Sequence, residues 1–202
     1  MNIKQLALIF GSRIKAQEIL CLLHDLKGVV RHGFYSSELP AVERFCKEYN
    51  LHSIKSKFKV LLMDESKSNF SNHGLRVPEN DTRDGMFFVY FSKDEESALL
   101  AAYYELVGNN QDFGLILGYP RCCINYFSEN FNSTNTNPMV NSTNMFTNIS
   151  KREEDCVLIS HFPCSAECRE SIKIGKTNLE LIKKIDLERA KEIEGILENG
   201  MG

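Results

Sequence analysis

The 202-residue sequence has no tryptophan, only five prolines and no excess of basic residues. Its 24 Lys and Arg against 27 Asp and Glu leave a formal net charge of -3, without the positive excess of most nucleic-acid or membrane-surface binders. No apolar run approaches the roughly 18 residues that span a bilayer. The apolar stretch Leu6 to Phe10 is also shorter than the roughly 7 to 15 residues of a signal-peptide core. These absences predict a cytoplasmic protein with no membrane partner. No repeat of solenoid length is visible, which excludes stacked-repeat architectures. With 43% hydrophobic and 25% charged residues, fibrous and wholly disordered chains are excluded too. What remains is one domain, or two small ones packed together.

Cysteine, by contrast, is plentiful: seven residues. In a reducing compartment thiols are not paired, so clustered ones point to metal ligands or redox centres rather than to a disulfide framework. The sequons at Asn132, Asn141 and Asn148 carry no weight there.

The first half alternates strand-like and helix-like segments. Leu6 to Phe10 reads as a short strand, Gly11 and Ser12 as a turn, and Ile14 to Lys27 as an amphipathic helix stopped at Gly28. Val29 to Tyr35 is a second strand, and Pro40 opens a helix through Tyr49 with Asn50 as a left-handed stop. From Ile54 to Val60 the residues alternate with Lys55, Lys57 and Lys59, the pattern of a half-exposed edge strand protected by lysines. Asp64 to Gly85 is polar and aperiodic, a long connection. Met86 to Phe91 is the strongest strand, and Ser92 with Glu95 offers a capping box for a helix running to Val107 and stopped by Gly108. Tyr103 and Tyr104 read as core aromatics.

The second half reads as mainly helical. Phe113 to Leu117 is a short helix, and Pro120 restarts another through Phe127. Asn130 to Asn148 reads as a solvated loop of poor order, Val157 to Ser160 as a short strand, and Pro163 as a helix start. Leu179, Ile182, Ala190, Ile193 and Leu197 space the apolar faces of terminal helices. The expected architecture is therefore α/β: a small N-terminal unit of alternating strands and helices over residues 1–92, then a mainly helical cysteine-containing region over residues 93–202.

Two segments carry the chemistry, Gly118-Tyr-Pro-Arg-Cys-Cys123 and His161-Phe-Pro-Cys-Ser-Ala-Glu-Cys168. In each an aromatic residue precedes a proline, and cysteines follow. Prolines at first helical positions would set Cys122, Cys123 and Cys164 at helix starts, where free amides and the positive dipole end stabilise thiolates. Cys164 and Cys168 would then share one helix face. The adjacent Cys122 and Cys123 point about 100° apart on a regular helix, so both can serve one site only if the helix start is distorted or a cluster offers separated iron sites. His161 is a candidate ligand or outer partner, and Arg121 and Arg169 are candidates for an anionic substrate. Cys21, Cys46 and Cys156 read as small core residues. Gly11-Ser12-Arg13 is a weak anion-site candidate without a phosphate-loop spacing.

The residues Leu117-Gly-Tyr-Pro-Arg-Cys-Cys-Ile-Asn-Tyr-Phe127 and Ser160-His-Phe-Pro-Cys-Ser-Ala-Glu-Cys168 resemble an uncharacterised, largely archaeal family, domain of unknown function 483. The match covers about the C-terminal half, at Gly118, Tyr119, Pro120, Cys122, Cys123, His161, Pro163, Cys164 and Cys168. The resemblance implies a site and names no reaction. A more distant likeness is to the cysteine-rich modules that hold iron-sulfur clusters in heterodisulfide reductases. This chain departs from them in the spacing of its second pair and in lacking a suitable cysteine upstream of Cys122.

Three readings follow. In the first, Cys122, Cys123, Cys164 and Cys168 hold an iron-sulfur cluster or zinc with His161 in contact or just behind. An open ligand position would then admit a small sulfur-containing or anionic substrate. In the second, the thiols form a metal-free oxidoreductase or thiol-transfer centre. In the third, the N-terminal unit is a non-catalytic binding module and the cysteine half its scaffold.

Overall fold

The computed structural model describes residues 1–62, 74–132 and 135–199. Its elements run α1 (Ile3–Phe10), α2 (Arg13–Leu23), β1 (Val29–Phe34), α3 (Leu39–Glu48), β2 (His52–Leu62), β3 (Gly74–Pro78) and β4 (Met86–Ser92), followed by α4 (Glu95–Val107), α5 (Asn110–Ile116), α6 (Arg121–Asn130), α7 (Arg169–Ile185) and α8 (Leu187–Asn199). The chain divides into two compact units, Leu22–Gly118 and Met1–Cys21 with Tyr119–Gly202. The class is mixed α/β: an antiparallel sheet with helices in the N-terminal half and a mainly helical, cysteine-bearing C-terminal half.

Among the described residues four strands form one sheet in the order β1-β4-β2-β3. Strand β4 is antiparallel to both β1 and β2, so β1 and β2 run parallel with β4 inserted between them and α3 as their crossover. The side-chain period of two then sorts the aromatics of β4. Phe91 packs edge-on against Phe34 at 5.9 Å, while Tyr90 meets Phe113 of α5. Pro40 in the first turn of α3 and the positive φ of Asn50 match the helix boundaries expected from sequence.

The lysine-bearing strand is not an edge. Strand β2 lies between β4 and β3, and its pairing with β4 is irregular between Lys55 and Lys59. That irregularity shifts the alternation: Lys55 and Lys57 stay exposed, but Lys59 is buried and its ammonium donates to the carbonyls of Arg83 (2.8 Å) and Asp81. Ser56 fills the gap in the ladder, donating to the Phe58 carbonyl and accepting from the Phe88 amide. Strand β3 falls within the stretch expected to be a connection; residues 64–73 of that stretch lie outside the described residues.

Four further expectations are corrected. Leu6 to Phe10 is helix, not strand: Asn2 and Gln5 form a capping box, and Ile3, Leu6 and Phe10 are buried while Leu8 is exposed, a helical period that outweighs a short apolar run. Helix α2 stops at Leu23, with Asp25 rather than Gly28 in the left-handed region. Asp94, not Ser92, caps α4, because its carboxylate reaches the Ser97 amide at 2.9 Å while Ser92 donates to the Gly28 carbonyl. Tyr103 faces outward.

In the cysteine-bearing unit, Val157 to Ser160 forms no strand, although Val157, Leu158 and Ile159 are buried. Val157 and Ile159 join Ile149 and Phe162 in a core cluster, with Ile14, Phe127 and Ile174 packed against it. Past Asn130, the last residue of α6, the described residues of the asparagine-rich stretch form neither helix nor strand, yet its end is not solvated: Thr147 and Asn148 are buried. Phe146 lies so close to α7 that a Cβ on Gly175 would sit 2.8 Å from its carbonyl oxygen.

Candidate metal centre

The site begins at Gly118, whose φ of 76° suits glycine and turns the chain out of α5. Pro120 follows as the N-cap of α6, one position earlier than expected, so Cys122 and Cys123 still fall in the first turn. That turn is tight. The amides of Cys123 and Ile124 both donate to the Pro120 carbonyl, at 2.9 and 3.0 Å, so the helix opens on a 3₁₀-type bond. This is the distortion that two adjacent ligands require, and it sets the Cys122 and Cys123 sulfurs 3.9 Å apart.

The second segment does not form the helix expected from Pro163. Residues 163–168 make an irregular turn, and Cys168 is the N-cap of α7. Cys164 therefore sits on a turn, and its spacing to Cys168 is not that of a helix face. A proline favours a helix start only where the following residues can pay out their amides to a continuing ladder, and here the chain turns again before α7. Two hydrogen bonds hold the turn: the Cys168 amide to the Ser165 carbonyl, and the buried Thr147 hydroxyl to the Ala166 carbonyl at 2.7 Å. Arg152 fixes its approach by donating to the Ser160 carbonyl.

The two segments bring the sulfurs of Cys122, Cys123, Cys164 and Cys168 within 4.8 Å of one another, a group that could hold a metal ion. Cys168 lies 3.7 Å from Cys122 and 3.6 Å from Cys123. Cys123 and Cys168 are buried, Cys164 is half-buried and Cys122 is exposed, so the group has one solvent-facing corner. Three of the four stand at helix N-termini, where the dipole favours negative sulfur.

Burial and the neighbouring thiols set their acidities. Burial pushes Cys123 well up, and pushes Cys164 up to about 11 with Cys168 and Cys122 beside it. Burial also raises Cys168, but hydrogen bonds from Ser171, Cys123 and Cys164 outweigh it and bring that thiol down to about 7.

Behind the sulfurs lies a polar pair, the candidate His161 and a serine that the sequence did not single out. The Ser171 hydroxyl, fully buried on α7, is 3.3 Å from both the Cys123 and Cys168 sulfurs. His161 is also buried, and its Nε2 is 2.8 Å from the same hydroxyl, with the Tyr119 ring centred 5.2 Å away. His161 thus stands one hydrogen bond behind the sulfurs. Ser171 was legible only as the residue three positions after Cys168, the place where a helix side chain turns back to its N-cap. Arg121 and Arg169 are exposed beside Cys122 and Cys168.

The other cysteines are core residues. Cys21 faces Asn178 Oδ1, Cys46 is pushed up to about 11 by burial, and Cys156 accepts from Arg189. The Gly11-Ser12-Arg13 turn does bind an anion, but it is the protein's own: Asp155 accepts from the Ser12 hydroxyl at 2.7 Å and the Arg13 amide at 3.0 Å. Among the described residues no helix is long and apolar enough to cross a membrane.

A family model described as protein of unknown function (DUF483) matches residues 96–198, which include all four clustered cysteines. No curated protein and no solved structure matches the chain.

Proposed function

The chain belongs to the DUF483 family, and from the spacing of its sulfurs we propose that it is a metalloprotein in which Cys122, Cys123, Cys164 and Cys168 hold a single zinc ion. One observation carries this reading. The sulfur separations among Cys122, Cys123 and Cys168, of 3.6, 3.7 and 3.9 Å, match the edge of about 3.8 Å for a tetrahedron with zinc-sulfur bonds of about 2.3 Å, and the Cys164 sulfur lies within 4.8 Å of all three. An iron-sulfur cluster distributes its thiolates over different irons around an inorganic core, so its ligands need a wider ring than four sulfurs within 4.8 Å. A tetrahedral all-sulfur set suits zinc or a single iron, and zinc is the commoner occupant of a closed structural site.

All four positions being thiolate, the ion would be a staple rather than a reaction centre. It would join the start of α6, the 163–168 turn and the start of α7, closing a long irregular stretch that few backbone ladders support. His161 and Ser171 would serve by fixing the orientation and basicity of the Cys123 and Cys168 sulfurs. The metal-free thiol reading keeps one supporting observation, the Cys168 thiol at about 7.

Metal and acid-labile sulfide analysis of protein purified without oxygen tests these readings. About one zinc per chain without sulfide is the expected result. Iron with sulfide would replace the single-ion reading by a cluster. Absence of metal with every thiol titratable would replace it by the thiol-exchange reading.

A further inference from the structure

The four clustered sulfurs differ in what can reach them. Cys122 is exposed and Cys164 half-buried, while Cys123 and Cys168 keep only 2% and 6% of their surface. Thiol oxidation follows thiolate character together with access, so a dissolved oxidant meets Cys122 first. Cys21, Cys46 and Cys156 are all buried and offer it no competing target.

Three thiols stand close enough to resolve an oxidised Cys122. Cys123 is disfavoured by covalent geometry, because consecutive Cα atoms are about 3.8 Å apart and a disulfide usually spans about 4.4 to 6.8 Å. Cys164, half-buried on its turn, shares the approach that solvent takes. Cys168 lies 3.7 Å from the Cys122 sulfur and on its buried side. An oxygen delivered from solvent therefore sits on the face of Cys122 turned away from Cys168, the arrangement that displacement at sulfur needs. Cys168 is also equipped as the attacking group: it is the N-cap of α7, and the Ser171 hydroxyl donates to its sulfur at 3.3 Å.

Resting on the single-zinc reading, we propose that the site is an oxidant-sensitive latch, in which a peroxide converts Cys122 and Cys168 to a disulfide and the zinc leaves. The Cys122 sulfur attacks one peroxide oxygen; the S–O bond forms as the O–O bond breaks, and the departing hydroxide takes a proton to become water. Cys122 is then a sulfenic acid, oxidised by two electrons, and the peroxide is reduced. The Cys168 thiolate attacks that sulfur, the S–S bond forms as the S–O bond breaks, and a second hydroxide leaves and is protonated to water. Only Cys123 and Cys164 remain to the ion, too few to hold it. The new bond joins the start of α6 to the start of α7, the points the ion had joined, so the chain between them stays closed.

The test uses the full chain as purified without oxygen, its zinc counted before any oxidant is added. One equivalent of hydrogen peroxide should release about one zinc per chain to a chromogenic chelator. Mass mapping after alkylation should find Cys122 bonded to Cys168, with Cys123 and Cys164 alkylated. Helical circular dichroism should persist, unlike that of the chelated and reduced protein, and dithiothreitol with zinc should restore the starting state. Before oxidation, brief iodoacetamide treatment should label Cys122 at least about tenfold faster than Cys123. A chain without zinc at the outset overturns both this inference and the reading beneath it. A zinc-bound chain overturns the inference alone if it keeps its ion in peroxide, joins a different pair, loses its helical signal on oxidation, or labels Cys123 first.

Discussion

The two compact units are held by different means. The unit of Leu22–Gly118 carries a four-stranded sheet whose ladders satisfy the backbone over long runs, and it buries Val30, Phe34, Val89 and Phe91 between sheet and helix. The buried carboxylate of Glu105 is fully engaged: it accepts two bonds from Arg31 and one from the Tyr90 hydroxyl at 2.7 Å. The cysteine-bearing unit shows no sheet among its described residues. Its helices are joined by irregular chain between α6 and α7, held by single side-chain bonds such as those of Thr147 and Arg152. A region with long ladders keeps its shape from backbone pairing. One made of turns depends on cross-links, and four convergent sulfurs are where such a cross-link would act.

That contrast can be broken at the sulfurs first. Cys168→Ser or Cys123→Ser should abolish metal binding and, with a contribution on the order of 10 kcal/mol removed from the folded state, unfold the cysteine-bearing unit. Circular dichroism should then show helical signal lost, and hydrogen exchange should show the β1-β4-β2 amides still protected. Equal loss of protection in both units would show that they do not differ in this way. Chelation of the unmodified protein should give the same pattern and reverse on adding zinc.

In the sheet unit the matching change is Glu105→Gln, which leaves Arg31 facing a neutral amide and breaks the partly buried pair. A loss of about 3 kcal/mol in denaturant titration is expected, with metal content untouched.

Ser171→Ala sharpens the comparison within the cysteine-bearing unit. It removes a buried hydroxyl from both the Cys123 and Cys168 sulfurs without removing a ligand. Zinc affinity measured by competition with a chelator should fall about 10- to 100-fold while the fold persists in excess zinc. Gly175→Ala is the mildest change. The added methyl meets the Phe146 carbonyl at 2.8 Å, and its steric cost of about 1 to 3 kcal/mol exceeds the gain of about 1 kcal/mol in helix propensity. A lower melting temperature with full metal content is the expected result.

Local features of the fold were legible where the signal is confined to one turn or one strand. Pro40, Asn50, Gly108 and Gly118 punctuate the chain as their backbone preferences require. Met86 to Phe91 is a strand because its aromatic and β-branched run suits a sheet buried on both faces. Misreadings arose where two local signals competed. The run from Leu6 to Phe10 hid a helix whose evidence lay in Asn2, Ile3 and Gln5 just before it. Ser92 was read as the cap of α4, but its hydroxyl is drawn to the Gly28 carbonyl and Asp94 caps the helix. Pro163 suggested a helix that begins only at Arg169.

The candidate site divides in the same manner. Its four cysteines were evident from two proline-linked motifs, because thiols in such clusters are rare as mere packing. Ser171 was not evident, since serine within a helix carries no signal until the sulfurs it touches are in place.

By itself the sequence determined strands β1 and β4 and the helix stops at Asn50 and Gly108, the core roles of Cys21, Cys46 and Cys156, and the identity of the four clustered thiols. Those properties depend on neighbours a few residues away. Tertiary structure alone decided that Cys122 and Cys168, 46 positions apart, stand 3.7 Å from each other. It also decided that Asp155 occupies the start of α2, and that α1 joins the unit formed by the C-terminal half. Such contacts depend on which distant surfaces bury together, a choice made by the packing of the whole chain and carried by no window of a few residues.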